Sequence, residues 1–163
     1  MARVLISGFA CLMAGVSWAQ DEPTPDSRMV FGGGNEYLTA GTEAMRVGLY
    51  DDGIRLTLIG LKGSISTLQR SAALSNLCAA HAAKREADRA IEYCTQSIEI
   101  DEHNWRAYSN RSYAYYLKGM DAQAHADLEI AASLSPNSHE IAQIRGMINE
   151  RNLRPSVIME DHR

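Results

Sequence analysis

Cysteines and histidines are the side chains in this sequence best suited to chemistry. Cys78 and Cys94 stand apart from Cys11, which lies in an apolar N-terminal stretch. Two thiols can close a disulfide, or each can serve as a small buried hydrophobe. His81 follows Cys78 by one helical turn, so a Cys-His-Cys metal site is conceivable. That set offers three ligands where a structural zinc takes four. A histidine satisfied within the core is the stronger reading, and no metal is expected. His103, His125, His139 and His162 are scattered along the chain.

Catalytic constellations are missing as well. The sequence has no glycine-rich phosphate loop after a strand, no His-Glu-x-x-His, no Gly-x-Ser-x-Gly and no Cys-x-x-Cys. Neither an enzyme nor a cofactor is expected. The 163 residues carry a formal net charge of −4. Nucleic acid and anionic membrane surfaces both need a basic footprint, so neither fits as the main partner. Past the first twenty residues no stretch is apolar enough to span a bilayer, so no integral membrane segment is expected in the mature chain.

The N-terminus differs from the rest. Arg3 supplies a positive start, Val4 to Val16 is apolar and small, and Ser17-Trp18-Ala19 offers small residues where a signal peptidase reads. Residues 1–19 therefore read as a secretory signal cleaved between Ala19 and Gln20. Gly8-Phe9-Ala10-Cys11 lacks the aliphatic residue of a lipoprotein signal. The expected location is a bacterial periplasm, and export places the remaining two cysteines where disulfides persist. Residues 20–34, with Pro23, Pro25, the acids Asp21, Glu22 and Asp26, and Gly32 to Gly34, read as a flexible leader.

Behind the leader, the elements that would position these residues repeat. Shifting the chain by 34 residues lays Asn76 on Asn110, Ala90 on Ala124, Ile100 on Leu134 and Glu102 on Pro136. Each unit reads as helix, tight turn, helix. In the later unit Lys118-Gly119 ends the first helix, Asp121 is expected to cap the second, and Pro136 falls at the start of the next. Ser112, Tyr115, Ala124, Leu128 and Ala131 carry the small and large positions of that unit, and Cys78, His81, Ala90, Cys94 and Ser97 carry those of the earlier one. A weaker copy lies upstream at Gly41, Ala44, Gly48, Tyr50, Gly53 and Gly60-Leu61, with a connection around Lys62 to Gln69. Gly53 and Gly60 inside a helix cost about 1 kcal/mol each relative to alanine, which makes this unit the least stable. After the last unit, Ser138 can cap one more helix whose Ile141, Ile144 and Ile148 share a face.

A 34-residue period with this pattern resembles the tetratricopeptide repeat. The resemblance implies an all-α fold: a short right-handed solenoid of three helical hairpins plus a C-terminal capping helix. The hairpins would span 35–138 (35–70, 71–104 and 105–138), the capping helix 139–152, and a tail 153–163. In that plan Cys78 and Cys94 face each other across one hairpin, although helix spacing often exceeds what a disulfide tolerates. A bridge and two small buried side chains remain alternatives.

Members of the family hold extended peptides in a concave groove lined by their first helices. Carried onto this chain, the groove would expose Thr39, Thr42, Ser75, Asn76, Ala79, Arg106, Ser109, Asn110, Tyr113 and Tyr116. Arg106, Asn110 and Tyr113 share one helical face. Asn76, Arg106, Asn110, Tyr113 and Tyr116 are the candidate binding residues: amides for a peptide backbone, a guanidinium for a carboxylate, rings for flat apolar area. Some members clamp a chaperone's terminal carboxylate with lysine, arginine and asparagine. Asn76 and Arg106 match that set, whereas Leu38, Thr42 and Asn110 depart from it. The function implied is an exported adaptor for a protein or peptide segment. The alternative is a structural subunit that associates, with itself or another chain, through convex or end surfaces, its groove closed by its own tail.

Overall fold

The computed structural model describes residues 35–153, and among them are seven α-helices and no strand. They are α1 (Glu36–Arg46), α2 (Tyr50–Gly60), α3 (Thr67–Ala83), α4 (Ala87–Ile100), α5 (Trp105–Lys118), α6 (Asp121–Leu134) and α7 (His139–Leu153). The expected signal, the leader and the tail from residue 154 onward lie outside the described residues. Consecutive pairs α1–α2, α3–α4 and α5–α6 pack most extensively, neighbouring pairs stack through α4 against α5, and α7 packs on both α5 and α6.

Local chemistry sets the helix starts. Ser66 and Gln69 form a capping box, each side chain taking the other's backbone N–H. That box starts α3 at Thr67, so Thr67–Gln69 are helical where the sequence reads a connection. Asn35 caps α1 through Tyr37 and Leu38 N–H groups. Asn104 caps α5 through Ala107 N–H, and its amide donates to Ser71 and Ser97, both at 3.1 Å. One side chain thus starts a helix and ties it to the preceding hairpin. Two sequence expectations need correction. Asp121 is the first residue of α6 and does not cap it; Met120 holds that place with no side-chain bond. Pro136 lies in the turn before Ser138, whose hydroxyl accepts from Ile141 N–H at 3.4 Å.

All three hairpin turns use the left-handed backbone region. Gly48 has φ 83° and Gly119 φ 73°, whereas in the middle hairpin the residue is Arg85, at φ 62°. In the first hairpin, glycine has a second use. A Cβ on Gly41 would lie 3.0 Å from the Gly53 carbonyl oxygen, and one on Gly53 would lie 2.9 Å from that of Gly41. These positions let two backbones touch, so the helical penalty expected of Gly53 is offset by close packing.

Cys78 and Cys94 are joined in a disulfide between α3 and α4, with Cα atoms 5.3 Å apart. Both are fully buried and belong to a core cluster with Ala82, Ala90, Ala107 and Ala114. A second cluster sets Leu128 and Ala131 against Ile141, Ile144 and Ile148 of α7, and a third joins Met45 to Leu74 and Leu77.

Ion pairs repeat along the edge where the hairpins turn. Lys84 at the end of α3 meets Asp51 in the first turn of α2, and Lys118 at the end of α5 meets Asp88 in the first turn of α4. Arg151 near the end of α7 meets Asp121 at the start of α6. Each cation ends the first helix of one unit and each aspartate starts the second helix of the unit before. α7 therefore takes the place of a fourth unit's first helix.

Candidate functional site

First helices α1, α3 and α5 bring residues one repeat apart into register. Asn76 on α3 donates its amide to Thr42 Oγ1 on α1 at 3.1 Å, a pair 34 residues apart. The same step along the array leads to Asn110 on α5. Its Nδ2 is shielded from solvent and has no hydrogen-bond partner, and the Ser75 hydroxyl is in the same state. Ser109 donates to Glu140 Oε1 of α7 at 3.1 Å, and the whole Glu140 side chain is buried. Small polar side chains thus link α1 to α3 and α5 to α7.

That linkage changes the expected groove. Thr42, Ser75, Asn76, Ala79, Ser109 and Asn110 are buried, where the sequence predicts an exposed lining. For Thr42, Asn76 and Ser109 these hydrogen bonds give the reason, since each reaches a neighbouring first helix. Thr39 remains exposed. Leu38, Thr42, Thr57, Gln69, Ala72, Ala73 and Asn76 border one recess, in which the Thr57 hydroxyl also lacks a partner.

The aromatic and cationic candidates are half-buried. Arg106 lies over the Trp105 ring at 4.4 Å and borders a depression with Leu68, Ala72, His103 and Asn104. Tyr113 stacks on Tyr116, centroids 6.2 Å apart, and Arg151 sits over Tyr116 at 3.6 Å. Cation–π contacts of this kind hold flat rings in place. The five candidates therefore do not form one exposed face. Asn76 and Asn110 occupy the buried seam, and Arg106, Tyr113 and Tyr116 its partly exposed margin.

His81 is a satisfied core histidine. Its Nδ1 lies 2.7 Å from Glu86 Oε2, and its ring stacks on Tyr93 at 5.2 Å. The bond to His81, and then the one to Lys84, hold the Glu86 carboxyl below its usual range. Among the described residues no group of histidine, cysteine and acidic side chains could hold a metal ion.

Sequence reasoning missed the best-formed polar group. Arg111 pairs with both oxygens of Asp127 on α6, at 2.6 and 2.9 Å, and donates to Thr95 of α4 at 3.0 Å. The bond to Asp127 raises the guanidinium pKa against its partial burial. A spacing signal was present: Arg111 and Asp127 stand 16 residues apart, as do Cys78 and Cys94 one repeat earlier. Both pairs span a hairpin, one residue out of step, since Cys78 and Cys94 correspond to Ser112 and Leu128.

No protein-family model matches the chain. The chain is 26% identical over 110 residues to the DnaJ homolog subfamily C member 3 of Gallus gallus, spanning 67% of this chain and 22% of that protein. Among solved structures, the yeast Sti1 TPR2B domain, in complex with a pHsp70 ligand, superposes at TM-score 0.62 with 22% identity, covering 71% of this chain and 95% of the domain. The second TPR domain of human RPAP3, in complex with an HSP70 peptide, does so at 0.59 with 20% identity, covering 77% and 98%.

Proposed function

Taking as premise that this chain is an all-α tetratricopeptide-repeat solenoid, we propose that it is a non-catalytic adaptor that takes up an extended peptide along its first helices. Asn110 carries this reading. Its buried amide has an unused donor, and such a group is destabilising by about 1–3 kcal/mol until a partner satisfies it. A peptide carbonyl supplies that partner once the Asn110 side chain turns out of the seam. The half-buried rings of Tyr113 and Tyr116 offer flat area beside it, and Arg106 a charge for a carboxylate. Two of the structural neighbours are complexes of this general kind, with HSP70 ligands.

The test is affinity capture with the tagged protein from its native host, identified by mass spectrometry. A partner held by the wild type should be lost from the Asn110→Ala, Tyr113→Ala double variant while circular dichroism and Tm show the fold intact. Unchanged capture by that variant rejects the groove.

Export belongs to the same proposal. The 1–19 signal motivates it, and a disulfide at the centre of the fold supports it, because such bonds persist in oxidising compartments. Mass spectrometry of protein from the host should find a mature N-terminus at Gln20; an intact Met1 rejects export.

One observation favours a second reading, association through an end surface. Val47 and Leu49 are exposed in the turn of the first hairpin, and Leu58 and Ile59 at the far end of α2, and exposed apolar surface can mark contact sites. Light scattering should then show an oligomer that Leu49→Asp with Ile59→Asp dissolves. A monomeric wild type removes this reading.

A further inference from the structure

The fourth unit has a first helix, α7, with an open side. Arg145 on α7 stands 34 residues after Arg111 on α5. Arg111 makes two kinds of contact: to Thr95 on the preceding second helix, and to Asp127 on the second helix of its own hairpin. Arg145 repeats the first. Its Nη2 donates at 2.9 Å to Glu129, the residue 34 after Thr95. The second is unmade: Arg145 Nε is shielded from solvent and has no partner.

Gly146 marks the same opening. The residues at its position in the two preceding hairpins are Cys78 and Ser112, both fully buried by their own second helices. Gly146 is exposed, and a Cβ built on it would meet nothing within 4 Å. With Gln143, Met147 and Glu150 it borders a surface depression.

The sequence beyond α7 supplies matching chemistry. Asp161 follows Arg145 by the 16 residues that separate Arg111 from Asp127. Pro155 stands 34 residues after Asp121, the first residue of α6, and proline is favoured at a first helical position. Ile158 stands 34 after Ala124, whose carbonyl accepts from the Ser112 hydroxyl at 2.7 Å. Where the earlier hairpin sets serine against alanine, this one would set glycine against isoleucine, the larger side chain facing the position with no side chain.

We propose that the open face of α7 is the docking site for residues 155–163 of the same chain, which seat Asp161 on Arg145 Nε and Ile158 over Gly146. The occupant is chosen by charge and register together. The α7 face offers one unpaired guanidinium nitrogen, and the segment offers a carboxylate at the spacing used by the hairpin before. Docking completes a shortened fourth hairpin and covers the end of the array, as terminal elements of repeat proteins do.

Positions 146 and 162 correspond to Cys78 and Cys94 two repeats earlier, so the test copies the native bridge. The full chain carrying Gly146→Cys and His162→Cys, with the native disulfide intact, is oxidised mildly and mapped by mass spectrometry. An intramolecular 146–162 bridge should form about tenfold faster than the bridge in a Gly146→Cys, Ser156→Cys control, because docking raises the effective concentration of one pair. Adding Asp161→Asn should remove that advantage. Equal rates for the two pairs, or a bridge between two chains, overturn the proposal. Hydrogen exchange gives a reading free of new cysteines. Asp161→Asn should speed exchange of the α7 amides about tenfold, the effect of one lost charge-assisted bond, while α3 and α4 stay unchanged. Unaltered α7 protection overturns the proposal as well.

Discussion

Arg111 shows how one side chain can hold three helices. Its guanidinium lies within 6 Å of the Tyr108 and Tyr115 ring centres while its nitrogens reach α4 and α6. Removing one member of such a pair leaves the other charge buried and unpaired. Arg111→Ala should therefore lower stability by about 3 kcal/mol, read as a shift in urea midpoint at unchanged slope. Glu86 offers a test by pH. Its carboxyl titrates below the usual 4.5 in the folded state. Its stabilising contribution is thus present above the unfolded value and is lost as pH falls through the lowered folded one. An NMR titration should place the Glu86 midpoint below 4.5, and His81→Phe should move it back up. The sequence could show that His81 stands where the repeat has a core aromatic. It could not show Glu86 as its partner, since that contact depends on how the chain turns through Lys84 and Arg85.

At the level of helices and turns, the sequence told most about what recurs and least about what depends on one contact. The 34-residue step, the two-helix unit and the Gly119 turn were all legible, because they rest on spacing and local conformation. The start of α3 was missed although Ser66 and Gln69 carry capping-box spacing, because the neighbouring Gly63, Ser64 and Thr67 read as a loop. The close approach of α1 and α2 was hidden for a related reason: Gly53 reads as a weak helix former until Gly41 is placed against it. Gly53→Ala should lower Tm despite alanine's better propensity. The added methyl must displace Met45 or part the two backbones, an overpacking penalty of roughly 1–3 kcal/mol. The middle turn should respond in the opposite sense. Arg85 is exposed and left-handed where the other two turns have glycine. Arg85→Gly relieves that strain and should raise stability by about 1 kcal/mol. A fall in Tm would mean that the Arg85 side chain makes a stabilising contact of its own.

For the molecule as a whole, the groove was the least legible part. Sequence spacing set Arg106, Asn110 and Tyr113 on one helical face, yet the residues that surround each come from different units. Asn110 sits in a seam between first helices and Arg106 lies on a tryptophan. Repeat arrays contact mainly their neighbours, so their stability is nearly a sum over units and junctions. In such a chain a single covalent staple acts unevenly. The Cys78–Cys94 bond closes a span of 16 residues within the middle unit alone, and constraining a loop of that size is worth on the order of 3 kcal/mol in the chain-entropy model. Fraying should start at the outer hairpins and stop at the stapled one. Because both sulfurs are fully buried, a dissolved thiol can attack only during moments when that hairpin parts. Reduction then becomes a clock: its rate in excess reagent counts openings of the middle unit, without any denaturant to provoke them.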